Sequence, residues 1–158
     1  MARLFLPASA TQLSAGLAIL RLTAGVIFVA HGAQKLFIYG LAGVSGSFAG
    51  MGIPLAGVAG PMVAFMEFFG GIALVLGLLT RLVSLGLAIT MLGAIAFVHL
   101  SAGFFAPNGY EFVLMLMSAA LTLTVTGAGA YSVDGIIARR MEARAPLTVQ
   151  SPATRAAA

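Results

Sequence analysis

Residues 54–80 read PLAGVAGPMVAFMEFFGGIALVLGLLT, and this stretch contains a single charged residue, Glu67. A helix of about 20 predominantly apolar residues is long enough to cross the hydrocarbon core of a bilayer. Pro54 suits the first position of such a helix, where an N–H would have no partner, and Pro61 should bend the first turns. The stretch therefore predicts a membrane-spanning helix over 54–80.

Further apolar stretches lie on both sides of this helix. Of the 158 residues, 61% are apolar and only 8% are charged, whereas a soluble domain carries about 25% charged residues. This composition excludes both a water-soluble globule and a disordered chain. The sequence predicts an all-α fold, an integral membrane four-helix bundle over 13–130. Its predicted spans are 13–37, 54–80, 82–100 and 110–126.

The outer connections contain the expected turn residues. Residues 38–53 are free of charge and rich in glycine, which predicts an outer loop or a short helix lying in the membrane interface. Pro107, Asn108 and Gly109 predict a turn before the fourth span.

The two ends of the chain are more polar than the spans. Residues 1–12 form an N-terminal segment, in which Ser9, Thr11 or Ser14 is expected to cap the first helix. Residues 131–158 form a basic tail, with a short polar helix from Ser132 or Asp134 to Arg144 and disorder beyond it.

Basic residues are concentrated at one side of the predicted bundle. The N-terminal segment, the 80–82 turn and the tail contain six arginines, against Lys35 alone on the other side. These arginines are Arg3, Arg81, Arg139, Arg140, Arg144 and Arg155. Because short basic loops remain in the cytoplasm, both termini are predicted to be cytoplasmic. The clustering at one end favours orientation in a membrane over nucleic-acid binding, and the absence of cysteine excludes disulfides and thiolate metal sites.

Four ionisable residues are predicted to share one layer of the outer leaflet: His31, Glu67, His99 and Glu111. At 1.5 Å per residue they fall about 21–28 Å from the cytoplasmic ends of their helices. The Cβ direction tilts the histidines inward and the carboxylates outward, toward one another. Lys35 and Asn108 should lie just above this layer.

Three functional interpretations fit the layer. The first is a quinone site in which Glu67 is the acid–base group and His31 and His99 hold the headgroup, beside an apolar slot. Phe28, Phe65, Met66 and Phe68 would form that slot. The second is a non-haem metal site made by His31, His99, Glu67 and Glu111, and the third is bis-histidine haem ligation.

Structural roles are the alternative for the same residues. Glu67 would then pair with a neighbour to hold helices together, while His31, His99 and Glu111 would be interfacial helix ends. Arg21 is the other deep charge. It is expected to pair with Glu67, to extend toward the inner headgroups or to pair with Asp134.

Four motifs follow one another along residues 13–137. They are Arg21-Leu-Thr-Ala-Gly25 with Phe28, Gly32 and Lys35-Leu36; Glu67-Phe-Phe-Gly70-Gly71 continuing to Gly77-Leu-Leu-Thr80-Arg81; Asn108-Gly109-Tyr110-Glu111; and Gly127-Ala-Gly129 followed by Ser132-Val133-Asp134. In this order and spacing they resemble the DoxX family of small bacterial membrane proteins. The resemblance implies a four-helix, multi-pass protein of the bacterial inner membrane. It carries a ligand-site role to Arg21, Lys35, Glu67, Asn108 and Glu111.

The resemblance also implies a function, because some family members are small subunits of quinone-linked oxidoreductases and others work with soluble partners in responses to oxidative and thiol stress. The first expectation is therefore an oxidoreductase subunit with a polar quinone or ligand site in the outer half of the bilayer. The alternative is a non-enzymatic scaffold or chaperone-like subunit that holds a partner protein. Either way, the expected partners are membrane lipid and a protein partner or a second copy of the chain.

Overall fold

The computed structural model of this protein describes residues 7–144, and over that range the chain is helical, with no β-strand. The α-helices are α1 (Ala10–Ala33), α2 (Gly40–Gly50), α3 (Ala56–Leu76), α4 (Thr80–Ala94), α5 (Glu111–Thr126) and α6 (Val133–Arg144). Two π-helical segments extend them, Gln34–Tyr39 after α1 and Ile95–His99 after α4, and a 3₁₀ turn follows at Leu100–Ala102. The predicted all-α fold is confirmed. Arg3, Arg155 and the predicted disorder beyond Arg144 lie outside the described residues.

Three continuous helical stretches are long and apolar enough to cross a membrane: Ala10–Gly50, Ala56–Leu76 and Thr80–Ala102. The fourth predicted span is α5, which is apolar but has only 16 residues. At 1.5 Å per residue it is about 24 Å long, against a hydrocarbon core of about 30 Å.

Local sequence signals explain where these helices begin and end. Ser9 caps α1, since its side chain accepts from the backbone N–H of Gln12 and the Gln12 side chain accepts from the N–H of Ser9. Gly77 ends α3 in the left-handed conformation, with φ of 67°. The predicted third span begins two residues too late, because α4 starts at Thr80.

The glycine-rich segment 38–53, for which the sequence predicts an outer loop or a short helix, contains a helix. Residues Gly40–Gly50 form α2, which packs over the first turns of α3. A Cβ added to Gly60 of α3 would lie 3.1 Å from the backbone nitrogen of Ser45, so the two helices are in close contact. Glycine costs a helix about 1 kcal/mol relative to alanine in water, but an apolar environment favours the helix because it pairs every backbone N–H and C=O.

Helices α1 and α3 pack closely through glycines on both surfaces. A Cβ added to Gly32 would lie 2.3 Å from the backbone nitrogen of Phe68, and one added to Gly71 would lie 2.7 Å from that of Val29. Small residues are the usual basis of tight helix contacts in membranes. Gly25, Gly32 and Gly71 therefore allow the two helices to approach this closely.

One large side chain from each of α1, α3, α4 and α5 fills the centre of the bundle. Phe28 of α1, Leu74 of α3, Leu87 of α4 and Leu123 of α5 are all fully buried. Their packing holds the four helices in fixed rotation about their axes, which determines where the polar residues point.

The α3–α4 turn (77–79), the 127–132 connection and α6 lie together, and we call this the basic end of the molecule. The carboxylate of Asp134 accepts from the backbone N–H groups of Leu79 and Thr80, at 2.8 and 2.9 Å. The N–H of Asp134 in turn donates to the carbonyl of Gly77 at 2.9 Å. These bonds fasten α6 to the start of α4.

Candidate functional site

Glu67 lies on the buried face of α3. That face is formed by residues spaced three or four apart, namely Gly60, Ala64, Glu67, Gly70, Gly71 and Leu74. Because its neighbours on this face are small or apolar, the carboxylate has few partners on its own helix. Its side chain is only 5% exposed. A charge at such a position needs a counter-charge from another element.

Lys35 supplies that counter-charge from the π-helical segment after α1. Its Nζ lies 2.5 Å from Oε2 of Glu67, and no other ion pair is found among residues 7–144. The lysine side chain is 20% exposed, so it reaches from the buried carboxylate toward the surface. π-Helical turns are frequent at functional sites, because they shift side chains out of the regular α-helical register.

Phenylalanines of α3 and of the π-helical segment after α1 form a cluster of their own. The ring centroids of Phe37 and Phe68 are 5.6 Å apart, and those of Phe68 and Phe69 are 5.1 Å apart, both in edge-to-face geometry. Phe65 stacks on Phe69 at 6.0 Å. Phe65 and Phe69 are exposed, at 44% and 58%, and each lies about 200° around α3 from Glu67, so these two rings face away from the ion pair. Phe28, predicted for the same slot, lies in the bundle core instead.

His99, Asn108 and Glu111 meet at the connection between α4 and α5. Nδ1 of His99 lies 2.9 Å from the backbone oxygen of Asn108, so this nitrogen is the protonated one, because a carbonyl only accepts. Oε1 of Glu111 accepts from the backbone N–H of Ala106 at 2.8 Å. Both side chains therefore order this connection, and neither contacts Glu67.

His31 lies one helical turn before Lys35 and contacts α5. Its ring is exposed and sits 6.2 Å from that of Phe112 on α5, at an interplanar angle of 48°. Among residues 7–144 no three His, Cys, Asp or Glu side chains are close enough to hold a metal ion. The suggested metal set of His31, His99, Glu67 and Glu111 is therefore not assembled.

Arg21 takes a role that differs from all three expectations. It is 4% exposed and donates to the backbone oxygen of Leu74 at 3.0 Å, and it also contacts those of Val75 and Tyr131. It forms no ion pair with Glu67 or Asp134 and does not extend to the surface. The reason is local: α3 ends beside Arg21, and the last carbonyls of a helix lack intrahelical partners.

Cavities occur elsewhere on the described surface. One, of about 440 Å³, lies at the basic end, and one of about 410 Å³ lies on the outside of the α1–α3 contact and is lined entirely by apolar residues such as Val29 and Ile72. Neither is lined by Lys35 or Glu67. The pairing of these two residues was missed from the sequence, although Lys35 is the one basic residue predicted for the outer side and Glu67 the deepest carboxylate.

Comparison with known proteins agrees with this architecture. The sequence model of the DoxX family matches residues 16–100. The chain is 35% identical to CatD of Bacillus subtilis, provisionally named an oxidoreductase, over 69% of this chain and 78% of that protein. It is 33% identical to the inner membrane protein YqjF of Escherichia coli, over 79% and 94% of the two chains. An uncharacterized membrane protein of Mycobacterium tuberculosis is 31% identical over 78% of this chain and 82% of its own. No solved structure matches the chain.

Proposed function

The chain belongs to the DoxX family of multi-pass bacterial membrane proteins, and from this membership we propose that it is the membrane subunit of a quinone-linked oxidoreductase system. The observation that carries the proposal is the Lys35–Glu67 pair, a partly exposed cation held by a buried carboxylate within an apolar bundle. The name of the CatD relative supports the redox class.

The ion pair has the chemistry that a quinone headgroup requires. A lysine ammonium carries three N–H donors, and Lys35 directs one of them to Glu67, so it retains donors for a quinone carbonyl oxygen. Reduction of a quinone takes up two electrons and two protons. In the proposed site Glu67 is the acid–base group, and a redox-active partner protein exchanges the electrons.

The other predicted ligands take secondary positions in this proposal. His31 lies one helical turn before Lys35 and contributes a further donor near Phe112. His99, Asn108 and Glu111 shape the connection above the site through their hydrogen bonds to its backbone.

The test is to quantify quinone in the organic extract of mildly purified full-length protein by mass spectrometry. We expect the wild-type protein to retain quinone near one molecule per chain and Glu67→Gln to lose it. Glu142→Gln, which removes an exposed carboxylate from α6, is the matched control and should retain quinone. Folded Glu67→Gln protein with wild-type quinone content would show that Glu67 has no such role.

One observation favours the alternative scaffold function. Helix α6 exposes Ile137 and Met141, at 46% and 68%, beside Arg144. Such a mixed apolar and basic surface suits docking of a partner protein. If the folded wild-type protein contains no quinone, deletion of residues 138–158 should then abolish co-purification of that partner.

A further inference from the structure

The cavity at the basic end is a groove between the first turn of α4, the 127–129 loop and α6. It has a volume of about 440 Å³. Its lining includes Thr80, Arg81, Gly127, Asp134 and Ala138. Neither Lys35 nor Glu67 lines the groove, so its ligand can be tested independently of the proposed redox function.

The groove contains hydrogen-bond donors without acceptors. The N–H groups of a helix's first turn have no intrahelical partner. Asp134 accepts those of Leu79 and Thr80. The backbone N–H groups of Arg81 and Leu82, which also line the groove, have no acceptor among residues 7–144.

A buried hydroxyl adds an independent indication of a missing ligand. Thr80 is fully buried, and its Oγ1 makes no hydrogen bond. Among the described residues, the other buried side-chain nitrogen or oxygen without a partner is Nε of Arg21. The Arg21 guanidinium lies at the same turn, with Cζ 3.1 Å from where a Cβ on Gly77 would be. Unsatisfied buried groups usually mark a bound water, ion or ligand.

The charges around the groove favour an anion. Arg81 lines it, with Nε 3.3 Å from where a Cβ on Gly127 would be, and Arg21 lies behind the same turn. The one carboxylate in the lining, Asp134, is engaged by two backbone N–H groups. The nearby charge is therefore net positive, and the start of α4 adds the positive end of a helix dipole.

The rim of the groove is apolar. Leu79 and Leu82 line it and are 60% and 68% exposed. A free inorganic anion would leave these leucines uncovered, whereas the acyl chains of a lipid would cover them. The combination of an anion-binding floor and an apolar rim fits an amphiphile.

We propose that this groove binds the phosphate group of a membrane phospholipid. The phosphate accepts from the N–H groups of Arg81 and Leu82, the Arg81 guanidinium and the Thr80 hydroxyl, while the acyl chains lie on Leu79 and Leu82. Phosphatidylglycerol is a suitable probe, because it carries a single net negative charge on its phosphodiester.

The test uses full-length protein in a phosphate-free detergent, with native mass spectrometry to measure phosphatidylglycerol bound per chain. Wild type should bind one lipid, and Arg81→Gln should bind it about tenfold more weakly, the effect of losing one charge-assisted hydrogen bond. The matched control is Arg140→Gln, which removes an exposed arginine of α6 outside the groove lining and should bind as wild type. Equal binding by the two variants would overturn the proposal.

A second variant covers the case in which Arg81→Gln fails to fold. Without a ligand, Thr80→Val removes a buried hydroxyl that has no partner, so the Tm should rise. With phosphate bound, the hydroxyl of the wild-type protein donates a hydrogen bond that the variant lacks. We expect Thr80→Val to lose part of the lipid-induced rise in Tm. A lipid-induced rise equal to that of wild type would overturn the proposed contact. If an equal concentration of inorganic phosphate displaces the lipid, the groove binds phosphate without needing the acyl chains. That result would overturn the proposal that its ligand is a phospholipid.

Discussion

Arg21 and Glu67 are each 4% exposed within apolar helices, and their neighbours compensate the two charges in different ways. Glu67 has a full counter-charge in Lys35, at 2.5 Å. Arg21 instead donates to carbonyls at the end of α3 and to that of Tyr131. An arginine can do this because its planar fork presents five N–H donors. The Lys35–Glu67 pair can respond to a change in charge at either residue. The hydrogen bonds of Arg21 are structural and hold it against the end of α3.

The Lys35–Glu67 pair leads to a prediction about stability. Removing one partner of a buried ion pair leaves the other uncompensated, which costs about 3–5 kcal/mol, whereas removing both is far less costly. Lys35→Met and Glu67→Gln should therefore each lower the Tm in detergent, and the double variant should recover most of the loss. Additive losses in the double variant would show that the two charges are not coupled.

The partners of these side chains could not be predicted from the sequence. Hydropathy predicts the depth of a residue in the membrane, and it assigned Glu67 and Lys35 to the same half of the bundle, where the structure pairs them. Which residues touch depends on how each helix is rotated about its axis, and small residues such as Gly32 and Gly71 determine that through contacts between distant segments. For Arg21, none of the three alternatives drawn from the sequence included the backbone carbonyls that it in fact contacts.

Among the helices, α1 and α3 make the closest contact, and a pair of glycines tests it. A Cβ on Gly32 would overlap the backbone of Phe68, at 2.3 Å from its nitrogen, while one on Gly46 of α2 would meet nothing within 4 Å. Gly32→Ala should destabilise the bundle by about 1–3 kcal/mol. Gly46→Ala should leave stability unchanged or raise it by about 0.5–1 kcal/mol. Thermal unfolding of both variants in the same detergent decides the matter, and equal Tm values would contradict the packing described.

Helix α6 is held to α4 by Asp134, and this contact can be tested separately. Loss of a side chain that caps the first N–H groups of a helix costs about 0.5–2 kcal/mol. Asp134→Ala should therefore lower the Tm and speed amide hydrogen exchange at the start of α4. Glu142→Ala, which removes an exposed carboxylate from the same helix, should change neither. Unchanged exchange in Asp134→Ala would mean that the cap does not stabilise α4.

Helix boundaries were predicted well where strong stop signals flank an apolar run. The fourth span, predicted at 110–126, is the helix Glu111–Thr126, bounded by Gly109 and Gly127. For the segment 38–53 the sequence predicted either a loop or a short helix, because glycines also indicate a loop in water. In the folded chain only Gly40 and Gly52 of that segment have positive φ, and the other glycines are ordinary helical residues.

For the molecule as a whole, the charge distribution predicts an orientation that labelling can measure. The chain has no cysteine, so a single introduced cysteine reports on one position. A membrane-impermeant maleimide applied to spheroplasts should label Ser101→Cys, at the α4–α5 connection, and not Ala143→Cys in α6. Inverted membrane vesicles should give the opposite pattern. Labelling of Ala143→Cys in intact spheroplasts would place the basic end outside.

The shortness of α5 has a consequence for the membrane around the protein. A helix of about 24 Å beside longer neighbours creates a hydrophobic mismatch on one flank of the bundle. The lipid next to α5 must become thinner, or another protein must cover that flank, whereas the lipid next to α1 and α3 keeps its normal thickness. Where lipid covers that flank, we expect the bilayer to be thinner along α5 than along α1 and α3, and lipids with shorter acyl chains to collect there.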